Sequence, residues 1–246
     1  MHRMARGRAD PLRRHMNWLR GLLFVLVASG TAIVFRQGLV PPAVNPLPII
    51  DFAQPRPWLV DWRLAGIRNY PEVCARTLKA PHIDAKPISD SPIKNGCGWH
   101  NGVRLVSAAG VRTGFDKLSC EMAVALALWL QNEVQPLAQE ILGQQVKTLQ
   151  SYGSYSCRNI VGNQFARNIR SQHATANAAD IGGFTLADGR SISIRTQWRN
   201  ETPEGRFLRA VHRAACPYFR VAIGPDYNSA HYDHFHFDRG PFSRCK

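Results

Sequence analysis

The chain has 246 residues and six cysteines, and its 31 Lys and Arg against 17 Asp and Glu give a formal net charge of +14. That length suits one sizeable domain or two small ones. So basic a chain suits nucleic acid, anionic lipid or an acidic polymer, but it holds no long block of like charges, no helix-turn-helix signal and no basic run interleaved with aromatics, which argues against nucleic acid.

The basic excess is uneven. Residues 1–36 carry Arg3, Arg6, Arg8, Arg13, Arg14, Arg20 and Arg36 against Asp10 alone, a local +6, which leaves about +8 for the rest. Between Arg20 and Arg36 lie fifteen uncharged residues, Gly21–Phe35, and Trp18 and Leu19 extend the apolar character outward. A membrane span needs roughly 20 such residues, and snorkelling by Arg20 and Arg36 makes up the difference. A cleaved signal peptide is the alternative, with an apolar core of about 7 to 15 residues ending in small ones. Val27-Ala28-Ser29 and Gly30-Thr31-Ala32 are its candidate cleavage sites. Apolar residues resume after that cluster, which favours an uncleaved single-pass anchor over 18–36. Residues 1–17 are then a cytoplasmic basic segment, and everything after residue 36 is exported.

Cys74, Cys97, Cys120, Cys157, Cys216 and Cys245 all follow the apolar stretch and none forms a Cys-x-x-Cys pair. In an oxidising compartment an even count reads as disulfides, and pairing of sequence neighbours (74 with 97, 120 with 157, 216 with 245) is expected. Residues 37–57 contain Pro41, Pro42, Pro46, Pro48, Pro55 and Pro57, which predicts an extended, semi-rigid linker holding a domain over 58–246 away from the membrane.

Within that domain, Tyr70–Leu78 and Leu118–Leu130 read as helices, the second with Leu118, Met122, Ala125, Leu126, Trp129 and Leu130 near a 3.6 period. Pro136 is expected to kink or restart that helix, and Gly143 to close the restarted stretch. Residues 180–186 and 191–194 read as strands joined through Asp188-Gly189, a hairpin signal. An amphipathic helix comes next, from near Pro203 to about Cys216, through Phe207, Leu208 and Val211. Phe219–Ile223 and Asp233–Phe237 are further short strands. Helices packed on a small antiparallel sheet make the fold class α+β.

Four of the nine histidines fall in two strings, residues 171–180 (Ser-Gln-His-Ala-Thr-Ala-Asn-Ala-Ala-Asp) and 231–236 (His-Tyr-Asp-His-Phe-His). A His followed seven positions later by an Asp, then a distant His-x-His, supplies two imidazoles and a carboxylate, and three protein ligands leave a fourth position for water, as catalytic zinc sites do. Strand alternation sends His234 and His236 to one side and Asp233 and Phe235 to the other. His234-x-His236-x-Asp238 also fits the opening of a metallo-β-lactamase-type site, but Arg239 stands next, where another His is needed. That reading is rejected.

These strings, with Tyr155-Ser156-Cys157-Arg158, Ala187-Asp188-Gly189-Arg190 and Gly224-Pro225-Asp226-Tyr227-Asn228, make the stretch from about Trp58 to Cys245 resemble the bacterial extensin-like C-terminal domain family. That family is similar to the zinc peptidases that group D-Ala-D-Ala carboxypeptidases, murein endopeptidases and lysostaphin-type enzymes with the hedgehog domain. The resemblance implies a core of that kind, with Zn2+ held by His173, Asp180 and His236. The carboxypeptidase branch has Glu where Asp233 stands, whereas the 231, 234, 236 histidine spacing is similar to the endopeptidase branch. His234, or else Asp233, is then expected to handle protons, Arg158 to contact substrate or oxyanion, Ser171 to orient substrate, and His231 either to face substrate or to stand behind the ligands. The expected function is a periplasmic peptidoglycan endopeptidase tethered to the inner membrane. A D,D-carboxypeptidase, a non-catalytic zinc-containing wall-binding module and a structural envelope protein are the alternatives.

Overall fold

The computed structural model describes residues 11–54 and 57–246. Residues 1–10, with Arg3, Arg6, Arg8 and Asp10 of the basic segment, and Pro55 and Arg56 of the expected linker lie outside the described residues. The apolar stretch is one helix, α1 (Pro11–Arg36). Its Leu12–Arg36 part is long and apolar enough to cross a membrane and none of that part is buried, features that a signal sequence shares.

After it come α2 (Val60–Ala65) and α3 (Pro71–Thr77), then strands β1 (Ile83–Pro87), β2 (Ser91–Lys94), β3 (Cys97–Trp99), β4 (Gly102–Ala108) and β5 (Val111–Ser119). None of these strands was expected, although β5 alternates strictly over Val111, Thr113 and Phe115 inward with Arg112, Gly114 and Asp116 outward. The helix expected from Leu118 starts at α4 (Cys120–Trp129), with Ser119 Oγ accepting from the Met122 N–H; Leu118 belongs to the strand. Every residue of α4 is buried, as befits a helix apolar on all sides except at Glu121 in its first turn. A π-type turn over Leu130–Val134 leads into α5 (Gln135–Leu142), where Pro136 occupies the first turn and Gly143, at φ 64°, ends the helix. Both punctuation signals act as expected, Pro136 by restarting the helix.

The chain continues through β6 (Val146–Gly153), β7 (Ala178–Leu186), β8 (Ser191–Ser193), α6 (Ile194–Gln197), α7 (Pro203–Ala215), β9 (Val221–Ile223), β10 (Phe235–Asp238) and β11 (Arg244–Cys245). Nine strands form one sheet in the order β1-β4-β5-β6-β7-β10-β9-β11, with β8 on β7, while β2 and β3 pair separately. The expected small antiparallel sheet is therefore corrected to a large mixed one: β5 and β6 run parallel, as do β9 and β11. The α4–α5 helix is the reason for the first, since a crossover helix returns the chain in the same direction. Trp129 anchors the core, with its ring 5.2 Å from that of Phe237 and its indole N–H on the Val211 carbonyl at 3.0 Å.

The disulfides join Cys74 to Cys120, Cys97 to Cys157 and Cys216 to Cys245. Neighbour pairing holds only for the last. The β1–β5 excursion separates 74 from its partner in sequence, while packing of α3 on α4 reunites them in space. Residues 37–54 are also not a free-standing spacer. Ile50 and Phe52 are buried in the core, and Arg63 donates to the carbonyls of Pro48 and Ile49.

A buried charge network gathers around Arg239, the residue after β10. Arg239 is fully buried and pairs with Glu121 at 2.7 Å and Asp61 at 2.8 Å, Arg220 pairs with Asp61 at 2.8 Å, and Arg68 with Glu121 at 2.6 Å. Burial alone would push the Asp61 carboxyl up, but Arg239 and Arg220 hold it below the usual range.

His212 on α7 is buried among Trp198, Phe235 and Phe237, and its Nε2 has no hydrogen-bond partner. Burial lowers it to about 4, against a bond to Ile223 that works the other way. The unfolded chain takes up this proton near 6.5, so the stability tied to neutral His212 is complete above that pH. It falls as pH drops toward 4, by up to about 3 kcal/mol. His212→Phe should remove that part of the decline, read as the shift in denaturation midpoint between pH 7 and pH 4.5 in the two proteins.

Candidate metal centre

β7 and β10 pair antiparallel with His236 directly opposite Asp180. Phe235 and Phe237 point into the core, Phe237 on Trp129, so alternation turns His236 and Asp238 to the other face. His173 arrives from a 3₁₀ turn over Gln172–Thr175, capped by Ser171 Oγ accepting from the His173 N–H, and ended by Ala176 at φ 53°.

The three expected ligands meet. His173 Nε2 lies 3.1 Å from His236 Nδ1 and 3.1 Å from Asp180 Oδ2, and His236 Nδ1 lies 3.0 Å from Asp180 Oδ1. Two nitrogen or oxygen ligands at about 2.0–2.1 Å from a tetrahedral zinc stand roughly 3.3 Å apart, so these spacings fit one ion.

The second nitrogens decide the tautomers. His173 Nδ1 is 3.2 Å from the Ser154 carbonyl, an acceptor only, so that nitrogen carries a proton and Nε2 is the one turned to the cluster, a ligand when neutral and a donor to Asp180 when protonated. His236 Nε2 is 3.1 Å from Asp238 Oδ2, whose other oxygen accepts from the Gly240 N–H at 2.8 Å. Histidine metal ligands are oriented in this way by carbonyls and carboxylates. In their neutral forms the two rings would aim lone pairs at each other across 3.1 Å, and a proton or a cation between them removes that repulsion.

The charges agree. Burial raises the Asp180 carboxyl, yet bonds to His173 and His236 bring it well below the carboxylate range. Burial likewise works against a charged His236, but Asp180 and Asp238 lift it to about 9. The cluster favours positive charge at its centre, and a proton and a divalent ion compete for that place.

His234 departs from its expected position. It sits one residue before β10 rather than on it, in the turn after a 3₁₀ segment over Ser229–His231. Its ring still reaches the cluster: Nδ1 is 2.9 Å from Asp233 Oδ1 and Nε2 is 3.8 Å from Asp180 Oδ1. Asp233 thus holds the far side of His234. His231 is buried, with Nδ1 2.7 Å from Asn228 Oδ1 and its ring 5.3 Å from that of His234. Burial, with the neighbouring His236 and His234, lowers it to about 4, so it is neutral at physiological pH.

Arg158 and Ser171 line a cavity of about 450 Å³ that also touches His231, His236 and Asp238. Val161, Phe165 and Ile169, from the loop after Arg158, make an apolar wall. Sequence reasoning missed three parts of the site: Asp238, Asn228 and the Ser154 carbonyl. The first was detectable, because positions 236 and 238 share a strand face. The other two depend on loops. Asn228 also donates to the Gly162 carbonyl at 3.1 Å, which ties the cavity loop to His231.

A family model described as extensin-like protein C-terminus matches residues 72–246. No curated protein and no solved structure matches the chain.

The arrangement predicts that the chain retains zinc through dialysis and that His236→Ala and Asp180→Ala lose it. Asp238→Asn, which leaves all three ligands but loosens His236, should weaken zinc about 10–100-fold in a competition with a chromophoric chelator.

Proposed function

Since the chain belongs to the extensin-like C-terminal family, we propose that it is a zinc-dependent peptidoglycan peptidase, held at the inner membrane by α1 with its domain in the periplasm. Its reaction is cleavage of stem-peptide cross-links. The observation that carries this reading is the convergence of His173 Nε2, Asp180 and His236 Nδ1, with both tautomers fixed from behind, beside a cavity large enough for a peptide segment.

His173, Asp180 and His236 would hold the zinc, which would supply a water acidic enough to ionise near neutral pH and would polarise a bound carbonyl. The chain's own groups do the rest. His234, with Nδ1 on Asp233, presents Nε2 to the edge of the cluster, where it takes a proton and returns it to the leaving amine. Asp233, on Nδ1, fixes which nitrogen faces the site. This divides the expected roles: His234 handles the proton, and Asp233 orients it. Arg158 supplies positive charge to a substrate carboxylate or to the developing oxyanion from the cavity wall, and Ser171 shapes the turn that delivers His173. His231, neutral and tied to Asn228, lines the floor between cavity and cluster.

The test is digestion of cross-linked peptidoglycan by the purified full chain, with soluble products separated and weighed by mass spectrometry. New muropeptides from split cross-links are the expected result, and loss of terminal D-Ala alone would mark a carboxypeptidase. His234→Ala should retain zinc and lose about 10²–10⁴-fold in rate, and Asp233→Asn a smaller part of that. Full zinc with no product from the unaltered chain would overturn the hydrolase and leave a wall-binding module.

A further inference from the structure

The apolar helix does not stand away from the folded domain. Phe35, its last apolar residue, stacks on Trp62 of α2 with centroids 5.6 Å apart. The Arg36 carbonyl accepts from Arg220 at 2.7 Å, and the Arg36 guanidinium donates to Ser243 Oγ at 2.6 Å and to the Pro241 carbonyl at 3.5 Å. Gly38 lies just beyond at φ 67°, with its own carbonyl accepting from Asn69 at 3.0 Å, and a Cβ there would fall 2.0 Å from the Ala65 carbonyl oxygen. No slack lies between the last turn of α1 and the domain.

A helix that crosses a bilayer ends at the headgroup layer, so whatever packs on its final turn lies at that level. Large apolar side chains are exposed around this exit. Leu39 is 58% exposed, and its N–H bonds back to Val34. Trp58 is 64% and Leu59 45% exposed, and both immediately precede α2, which carries Trp62. Phe242, 51% exposed, stands between the two residues that accept from Arg36. Basic groups dominate here as well: residues 36–50 and 239–246 contain no acid, Arg36 and the exposed Arg244 stand at this end with Lys246 closing the same segment, and Asp61, which shares a hollow with Arg244, is paired with Arg220 and Arg239.

The geometry points to a second membrane contact: the face formed by Leu39, Trp58, Leu59 and Phe242, with Arg244 and Lys246, rests on an anionic phospholipid surface. Aromatic and basic side chains are the ones that favour the bilayer interface. The contact rests on α1 spanning the membrane, as proposed above. It has a consequence for the site. Phe242, Ser243 and Arg244 also line the cavity beside the metal centre, so one cavity wall lies at the bilayer and the site meets peptides at the membrane surface.

The full chain in nanodiscs containing phosphatidylglycerol tests this, with lipids brominated near the headgroup end of the acyl chain as quenchers. The Trp58 signal is the emission difference between the chain and Trp58→Phe, and Trp18, near the other end of α1, provides the same reading through Trp18→Phe. Quenching of at least half of the Trp58 signal, reduced when Arg244→Glu and Lys246→Glu are combined, is the expected result. Trp18 quenched with Trp58 untouched would remove the surface contact and leave the span. Neither quenched would remove both. Trp58 shielded from aqueous acrylamide but not reached by brominated lipid, in discs holding two chains, would assign the face to a second copy and overturn the lipid contact.

Discussion

One strand register organises the site: His236 opposite Asp180 in the β7–β10 pair. A slip of one residue would turn the whole of β10 over, sending His236 and Asp238 into the core and Phe235 and Phe237 to the cavity. The register is held by what lies behind it. Phe237 packs on Trp129 and Phe219, and Phe235 on Trp198 and His212. Apolar packing on one face of a four-residue strand thus sets the spacing of two candidate ligands on the other. The third, His173, is brought by a loop and needs its own constraint, which Ser171 and the Ser154 carbonyl supply.

The end of β10 is fixed by charge rather than by packing. Buried ions lose their hydration, and only close pairing with further hydrogen bonds offsets that loss. Arg239 meets the condition: it donates to Glu121, to Asp61 and to the carbonyls of Tyr218 and Asp61. Its neighbour Asp238 then has little freedom, with one oxygen on Gly240 N–H and the other on His236. The same network reaches Arg220, which bonds the carbonyl of Arg36 at the end of α1. The apolar helix, α2, α4 and the strand behind the candidate metal centre are thereby joined through one set of buried charges.

The residues around the cluster divide by what stands behind them. His173 has a carbonyl, His236 and His234 have carboxylates, and His231 has an amide. A carboxylate behind an imidazole raises its basicity and stabilises its charged form, whereas a neutral amide in a buried setting does not. His236 and His231 diverge accordingly: against its burial, Asp180 and Asp238 raise the first, whereas burial and the neighbouring His236 and His234 lower the second.

Much of this was legible in the sequence. The seven-residue gap from His173 to Asp180 and the His-x-His at 234–236 picked out the candidate ligands, because metal chemistry demands particular side chains whatever the surrounding fold. Glycine and proline acted locally as well: the Asp188-Gly189 hairpin, the Pro136 restart and the Gly143 stop all stand where backbone sterics put them. The apolar run of α1 and the even cysteine count were equally direct. The rest was decided by tertiary structure. Sheet size, the parallel β5–β6 pair, the Cys74–Cys120 and Cys97–Cys157 bridges, the docking of residues 37–54 and the position of His234 outside β10 all depend on which distant segments meet. So does the orientation of each imidazole, since a ring's tautomer is set by the group behind it, and for His173 that group is a backbone carbonyl on another loop that no side-chain pattern encodes.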